Sequence, residues 1–327
     1  MENDLLQLQA FKETTWGTPG TFTSKLMGIQ SVSFKPNVEA VVHKDRRASY
    51  QPGHLSNIRL INAGGSIASL LLYEDVAYWL DALFAVATPS GAGPYTRDYA
   101  MPDASTPTIR TYSLLYGESG TLQRMQGAIV QKATFKFPRT GELTVALELI
   151  AEQVEDGGVL AALSDRTTNV AMAADAALYI DAWGGTMGAT EITATAWSAD
   201  LEVNTNRDLK HKPGSLYPYG YRHRRFDAML KLNMEVNATT LALQAAVQAA
   251  TAGAPVQRQI RTQATRDAGA SEKLIRFDFA GTFMNASEAW GDEDGLSMVS
   301  FDVGATYNST LGNSLKATSK NGVSALA

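Results

Sequence analysis

The chain has 327 residues, with 45% hydrophobic and 19% charged residues, no cysteine, and a formal net charge of −5. This composition supports a sizeable core and excludes wholesale disorder, disulfide bonds and thiolate chemistry. The slightly negative net charge also argues against a protein that binds nucleic acid over its whole surface. The sequence has no apolar run of the roughly 18 residues that a membrane helix needs, and residues 1–16 lack the basic and apolar regions of a signal peptide. We therefore expect synthesis in a cytosol and no membrane partner.

A weak internal repeat divides the sequence into two halves. Residues 15–37 resemble residues 182–204 at a constant offset of 167, and residues 127–154 resemble residues 281–308 at an offset of 154. In both pairs apolar residues alternate with polar ones, which predicts half-buried strands. Residues 138–141 and 291–295 are expected to be hairpin tips, because both contain glycine and polar residues.

The first half contains one predicted helix. Apolar residues recur at helical spacing from Val76 to Ala87, which predicts an amphipathic stripe. We expect Glu74 and Asp75 in the first turn, where the helix dipole favours acids, and Pro89 as the stop.

The second half contains a matching helix. Asn237 is the expected N-cap, Leu243, Val247 and Ala250 belong to the expected apolar stripe, and Gly253 is the expected end. Both halves thus follow one order of strand, long loop, strand, helix, strand and hairpin. The predicted fold is mainly β with one helix per repeat, as a β-sandwich or partly closed barrel. The predicted domains are residues 1–156 and 178–327, with residues 157–177 as the linker.

Catalytic and metal-binding motifs are missing from the sequence. The four histidines show no metal-ligand spacing, and the sequence has no phosphate-binding glycine loop. Asp292, Glu293 and Asp294 are adjacent, whereas calcium loops alternate their ligands, so we interpret them as an acidic hairpin tip. The sequence therefore predicts no enzyme activity, no cofactor and no metal site.

Positive charge is concentrated in the long loop of each half. The first loop contains Lys44, Arg46, Arg47 and Arg59, and the second contains Lys210, Lys212, Arg222, Arg224 and Arg225. The second loop also contains Tyr217, Tyr219 and Tyr221, and basic residues mixed with aromatics are typical of nucleic-acid binding. The alternative is a loop that packs against an acidic surface of another subunit. We favour the second interpretation, because the loop recurs in both halves of an acidic chain.

Acidic residues lie at the polar positions of several predicted strands. They are Glu148, Glu152, Asp200, Glu202 and Asp302. A solvated sheet face is the ordinary interpretation of this pattern.

With these elements in place, the chain resembles the major tail proteins, or tail tube proteins, of bacteriophages with long non-contractile tails. The resemblance rests on residues 12–20 (KETTWGTPG), the strand of residues 28–34 leading into a basic loop, the single helix, and the closing strand–turn–strand. It covers nearly the whole chain, once per half.

The resemblance implies a structural virion protein that assembles in the host cytoplasm. In the family, six β domains form a ring around a channel, the rings stack, and the long loop reaches a neighbouring ring. Since this chain carries two such domains, three chains would form a pseudo-sixfold ring. The implied partners are further copies of the chain, a tape-measure protein, tail-end proteins, and DNA that passes through the channel without specific binding.

The same resemblance gives roles to the charged residues. The basic residues of the two loops, together with Asp292, Glu293 and Asp294, become candidates for contacts between rings or subunits. The acidic strand positions, from Glu148 to Asp302, become candidates for the channel wall, since an acidic wall repels phosphate. Two alternatives remain at this point: a carbohydrate- or host-binding β-sandwich module of a virion, with the three tyrosines lining a sugar site, and a hydrolase with a scattered site.

Overall fold

The computed structural model describes residues 6–43, 56–103, 105–193, 195–250, 255–267, 269–286, 291–293 and 295–326. The protein is 54% strand and 8% helix, which confirms a mainly β fold. Neither of the two α-helices in these ranges is long and apolar enough to cross a membrane.

The first half contains nine strands and one helix. They are β1 (Gln7–Lys12), β2 (Ser24–Leu26), β3 (Ile29–Val42), β4 (Ser56–Leu70), α1 (Val76–Leu83), β5 (Tyr95–Ala100), β6 (Tyr112–Glu118), β7 (Thr121–Phe137), β8 (Thr144–Ala151) and β9 (Gln153–Asp156).

The second half adds ten strands and one helix among the described residues. They are β10 (Ala176–Ala182), β11 (Trp197–Asn204), β12 (Asp208–Lys210), β13 (Gly220–Arg222), β14 (Asp227–Glu235), α2 (Ala238–Gln248), β15 (Gln257–Arg266), β16 (Lys273–Ala286), β17 (Gly291–Glu293), β18 (Leu296–Ala305) and β19 (Leu315–Asn321).

Eight strands form one continuous antiparallel run, which we call the main sheet. Its order is β3-β4-β8-β7-β11-β14-β18-β16. The first four strands come from the first half and the last four from the second, and β7 and β11 join them. Strands β7 and β16 are long enough to leave the main sheet and continue into smaller sheets.

Two smaller runs of strands, which we call the side sheets, flank the main sheet. The first side sheet has the order β2-β1-β6-β7-β9. The second has the order β10-β15-β16-β19-β5, so its last strand comes from the first half of the chain. Strand β5 thereby connects the two halves a second time.

The strands do not close into a barrel. The expectation of a partly closed barrel was wrong, because the strands form one large antiparallel sheet that is not closed into a barrel. The apolar faces of both halves contribute to one buried core, which contains Leu147 of β8 and Phe301 of β18. Phe277 of β16 packs on Phe135 of β7 with ring centroids 4.6 Å apart, so the core is continuous across the halves.

Helix α1 differs from its prediction in both length and burial. It ends at Leu83, six residues before Pro89, and every one of its residues is buried, so it has no solvated face. Glu74 and Asp75 precede the helix and bind other partners: Asp75 accepts a hydrogen bond from the backbone of Met27, at 2.9 Å, and pairs with Arg166. Neither acid therefore lies in the first turn as predicted, and Asp75, the N-cap residue, makes no capping hydrogen bond.

Helix α2 begins as predicted at Asn237. The Asn237 side chain accepts a hydrogen bond from the backbone of Thr240, and the Thr240 hydroxyl accepts one in return, which forms a capping box. Leu243 and Val247 are half-buried, whereas Ala250 is exposed and lies beyond the end of the helix at Gln248. The apolar stripe is therefore shorter than predicted. Gly253 lies outside the described residues.

Strand pairing confirms the internal repeat and refines its alignment. Phe34 pairs with Gly65 in the first half, as Leu201 pairs with Leu230 in the second, which keeps the offset of 167 between β3 and β11. The predicted offset of 154 holds between β8 and β18. Between β7 and β16 the offset is 153: Lys132 pairs with Glu148 as Asn285 pairs with Asp302, and the bulges at Gln131 and Met284 occupy the same place in the two pairings.

The turns and the linker also show differences from the expected pattern. Residues 138–141 form the tip between β7 and β8 as predicted, but residues 291–293 are strand β17, which pairs with β18. The segment between β9 and β10 is held against the first half: Gln9 hydrogen-bonds the backbone of Ala161 in both directions, and Arg166 bonds the carbonyl of Lys25. The predicted domain limits themselves remain a prediction.

Candidate assembly surfaces

The junction between β7 and β11 shows how one half joins the next. Paired residues run from Ala199 opposite Phe137 to Asn204 opposite Lys132. The apolar side chains of this junction are fully buried, and the backbone of Thr205 extends it with a hydrogen bond to the Gln131 carbonyl, at 2.8 Å. The two halves are therefore joined by backbone pairing and by a shared core.

The main sheet ends in two unpaired edges. Among the described residues, β3 pairs only with β4, so its other side is open over 14 residues. At the opposite end, residues 284–286 of β16 pair with β18 on one side and have no described strand on the other. Pro36 lies on the open β3 edge, in keeping with the confinement of proline to sheet edges. Such edges are templates for pairing with another chain.

These two edges are the counterparts of the internal junction. With the observed offsets, Asn204 and Lys132 correspond to Asn37 on β3 and Asn285 on β16. Both asparagines are exposed. The chain thus presents, at its two ends, the same strands that pair with each other at its centre.

One face of the main sheet is polar and carries four of the five predicted channel residues. Glu148, Asp200, Glu202 and Asp302 lie on this face, opposite the buried apolar positions. Glu152 lies apart, beside Gly17, and burial together with Glu13 and Glu155 raises the pKa of its carboxyl.

Lysines alternate with the acids on this polar face. Lys132 stands opposite Glu148, Lys136 opposite Asp200, and Lys231 opposite both Asp200 and Asp302. Lys132 also pairs with Glu202 at 2.9 Å, and that contact raises the lysine's pKa. Opposite charges on facing strands stabilise the pairing, so the face is mixed in charge and not uniformly acidic.

The two basic loops have different structures. In the first half, β3 and β4 continue as a long hairpin, and Arg59 pairs with Glu39 across it at 3.1 Å. Lys44, Arg46 and Arg47 lie outside the described residues. In the second half the loop folds back on the first half, since the Ile61 backbone N–H donates to the Leu216 carbonyl at 3.0 Å.

The basic side chains of the second loop are partly neutralised within it. Arg222 and Arg224 both contact Asp208 Oδ2, at 2.6 and 2.7 Å, and these contacts lower the pKa of Asp208. Lys212 lies over the ring of Tyr219 at 5.7 Å. Lys210 and Arg225 are exposed, with Arg225 92% accessible at its side chain. Asp294 lies outside the described residues, as do the side chains of Asp292 and Glu293.

The three tyrosines of the second loop do not form one platform. Tyr221 packs edge-on against Trp16 and His223, at centroid distances of 6.3 and 5.4 Å. Tyr219 is exposed and is contacted by Lys212. This arrangement does not support a sugar site in which the three tyrosine rings stack on the ligand.

Arg207 is one of the basic residues of the second loop, and its role as the loop's anchor was not predicted from the sequence. It is 1% exposed and donates to the carbonyls of Ala82, Leu83 and Val130, at 2.6, 2.7 and 3.0 Å. The first two carbonyls end α1, where unsatisfied acceptors and the dipole favour a cation. Burial lowers the pKa of Arg207 to about 9, which leaves it charged at neutral pH. Its Nε contacts His223 Nδ1 at 3.4 Å.

The motif that carries the resemblance has a structural role. The buried Glu13 carboxylate accepts hydrogen bonds from the backbone of Gly17 and Gly127 and from the Ser113 hydroxyl, at 3.0, 2.8 and 2.7 Å. Trp16 Nε1 donates to the Gly127 carbonyl at 3.0 Å. Gly127 has φ +66°, and a Cβ there would meet the Trp16 ring at 2.9 Å, so the strand requires glycine at this point.

The described part of the chain contains no group of three or more histidines and carboxylates placed to hold a metal ion. A family described as phage tail tube protein matches residues 5–305. The chain belongs to the phage tail tube protein family. As a tail tube protein it is a structural component of the virion tail and assembles with itself into a tube. No curated protein matched the chain.

Proposed function

We propose that three copies of this tail tube protein close into a pseudo-sixfold ring, and that stacked rings form the tube of a non-contractile phage tail. The tube encloses a tape-measure protein, is capped by tail-end proteins, and conducts DNA into the host at ejection. Assembly takes place in the host cytoplasm, and the role is structural, not catalytic.

The observation that carries this proposal is the match between the internal junction and the two open edges. Strands β7 and β11 join two equivalent halves, and their counterparts β16 and β3 each have one edge without a partner among the described residues, at the ends of the main sheet. Pairing β16 of one chain with β3 of the next would repeat the internal junction. Three such contacts close six halves into one continuous sheet, which removes every open edge of the main sheet.

In this ring the polar face of the main sheet lines the channel. Glu148, Asp200, Glu202 and Asp302 would then face the passing DNA, with the lysines between them limiting the net charge. The exposed basic residues, Arg59, Lys210 and Arg225 among them, are the proposed contacts between rings or subunits.

Paired cysteines test the ring directly, since the chain has no native cysteine. We would combine Asn37→Cys with Asn285→Cys and analyse the oxidised assembly by non-reducing electrophoresis and electron microscopy. Directly opposite residues in an antiparallel pair have Cα atoms roughly 4.5–5.5 Å apart, within disulfide range. We expect covalent dimers and trimers that stop at three chains, together with rings or hollow tubes.

Two controls make the result specific. The pair Lys132→Cys and Asn204→Cys occupies the internal junction and should crosslink within one chain. Lys35→Cys with Asn285→Cys is two residues out of register, at a spacing of roughly 7–8 Å, and should crosslink poorly. Particles that remain discrete at every concentration, without the Asn37–Asn285 crosslink, would refute the ring.

A further inference from the structure

The second-half loop covers a defined part of the first half. Beyond β11, Thr205 and Arg207 lie along β7: the Thr205 hydroxyl donates to the Gln131 carbonyl at 2.9 Å, and Gln131 Nε2 donates to the Arg207 carbonyl at 3.1 Å. Leu209 then lines one cavity together with Gly64. This loop therefore closes over the surface where β4, β7 and β8 meet.

The equivalent surface of the second half is exposed as far as the described residues show. By the observed offsets, Gly64, Gln131 and Ile150 correspond to Met229, Met284 and Gly304. Those three residues line a groove of about 1040 Å³ together with Tyr307. We call this the methionine groove.

The methionine groove exposes unusually large apolar side chains. Met284 is 65% exposed, Tyr307 62% and Met229 44%. The covered surface of the first half has glycine and glutamine where the groove has the two methionines. Methionine and tyrosine are enriched at protein interfaces, and methionine adapts its shape to a partner. The groove is also lined by charged residues, Arg224, Arg225 and Asp227 among them, so it combines an apolar centre with a polar rim, as protein interfaces do.

The segment equivalent to the covering loop is the β3–β4 hairpin. The covering loop leaves β11 at Asn206, whose φ of +48° turns the chain onto the first half. The equivalent position in β3 is Glu39, and a bulge between Glu39 and Ala40 interrupts the pairing there. Bulges bend a strand, so both segments change direction at the same point of the repeat.

The hairpin carries exposed apolar residues of its own on both sides of this bend. Val42 and Ile58, beyond the bend, are 57% and 49% exposed, and Val38, just before it, is 50% exposed. Val42 is the counterpart of Leu209, which lines the covered cavity in the other half. A group of exposed apolar residues on one hairpin is typical of a surface that packs against a partner.

We infer that the β3–β4 hairpin of a second copy of this chain packs into the methionine groove, with Val42 near Met229. The contact rests on the proposed ring and specifies what accompanies strand pairing at each junction between chains. In this arrangement the base of the hairpin contacts the neighbouring chain of the same ring, and not a chain of the next ring.

The test combines a crosslink with matched substitutions. Val42→Cys and Met229→Cys are introduced on separately tagged chains, which are mixed, assembled and oxidised. We expect a disulfide between the two tags. In single variants, Met229→Glu and Val42→Glu should raise the protein concentration needed for assembly at least tenfold, whereas Met229→Leu should not change it. The thermal midpoint of the unassembled Met229→Glu chain should stay at the wild-type value, because the side chain is exposed there.

The outcomes separate this inference from the ring itself. If the Asn37–Asn285 crosslink forms but the Val42–Met229 crosslink does not, the ring stands and the groove contact is wrong. Loss of stacking in Val42→Glu with intact single rings would place the hairpin between rings, which also overturns the inference. If neither crosslink forms, both the ring and the groove contact fail.

Discussion

At the scale of the residue, Arg207 shows how a buried cation is held without a carboxylate. Its guanidinium satisfies three backbone carbonyls, two of them at the end of α1, and lies over the ring of Phe226, 5.3 Å from the ring centre. A helix C-terminus supplies partial negative charge, so the cation and the helix end stabilise each other. The contact fixes the second loop on the first half.

Replacing Arg207 should therefore destabilise the whole chain. Arg207→Met keeps the apolar stem but leaves the carbonyls of Ala82 and Leu83 buried without donors, whereas the Val130 carbonyl keeps the Thr205 hydroxyl at 3.2 Å. Each unsatisfied group costs about 1–3 kcal/mol, so we expect the free energy of unfolding to fall by about 2 kcal/mol or more. Urea denaturation of the unassembled chain measures the change. Arg225→Met is the matched control, since Arg225 is 92% exposed at its side chain and should change stability by no more than about 0.5 kcal/mol.

His223 gives the same site a pH dependence. Burial, with the nearby charges of Arg207 and Lys210, lowers the pKa of His223 to about 4, against 6.5 for the free side chain. Between pH 6.5 and pH 4 the unfolded chain binds more protons than the folded one, so the free energy of unfolding falls as the pH drops.

We expect His223→Asn to weaken this loss of stability in acid. Asparagine does not titrate, and its carbonyl can still accept from Arg207. Thermal midpoints measured from pH 7 to pH 4 should decline less steeply in this variant than in the wild type or in His211→Asn, which changes an exposed histidine. Equal slopes in all three proteins would show that His223 contributes nothing.

At the scale of the element, strands cross between the halves in two places. Strand β7 pairs with β11, and β5 pairs with β19 in the register from Ala100 opposite Lys316 to Tyr95 opposite Asn321. Phe135, Phe137 and Phe277 pack together in the shared core. The halves are repeats in sequence but complete each other in structure.

It follows that a cut between the halves should not separate them. We would insert a protease site after Val159, which is exposed, and cleave the purified chain. The two pieces should elute together and melt in one transition, because both strand pairs and the aromatic core remain. Residues 1–156 expressed alone should be insoluble, since β7 and β5 would both lack their partners. Recovery of that piece as a folded, soluble monomer would contradict the argument.

Local pattern accounts for the elements that the sequence predicted. The alternation from Leu143 to Leu149 gave β8, and the spacing of Asn237 and Thr240 matched a real capping box, because both signals depend on near neighbours in sequence. The burial of α1 could not be predicted, since the chain that covers it, including Arg166 over the ring of Tyr78, is distant in sequence.

The missed parts of the site share this physical cause. Arg207 binds backbone carbonyls, which have no residue identity, so no motif could reveal its partners. The pairing of β5 with β19 joins residues more than 200 positions apart and leaves no local period. The lysines of the polar face can be read from the sequence, but only the strand register shows that Lys231 lies opposite Asp302.

At the scale of the whole molecule, duplication determines which junctions of the proposed ring form during folding and which form during assembly. A chain with one half would need six identical copies to close a ring, whereas this chain has one junction fixed by folding and one left to assembly. The fixed junction has the extra contact through β5, which has no counterpart among the described residues of the second half. The junction between chains therefore depends on the β3 edge, and by our inference on the methionine groove.

The charge of the polar face should govern the passage of DNA through the tube. Glu148→Lys with Asp302→Lys removes two acids beside Lys132 and Lys231 and makes the proposed channel wall strongly positive. A positive wall attracts phosphate, so virions with this tail should release DNA more slowly after triggering, with the delay shrinking as salt rises. The time course of DNA release measures the effect. Glu118→Lys with Asp156→Lys makes the same charge change on the first side sheet and should leave release unchanged. Equal release times in both double variants, from tubes of normal length, would mean that this face does not line the channel.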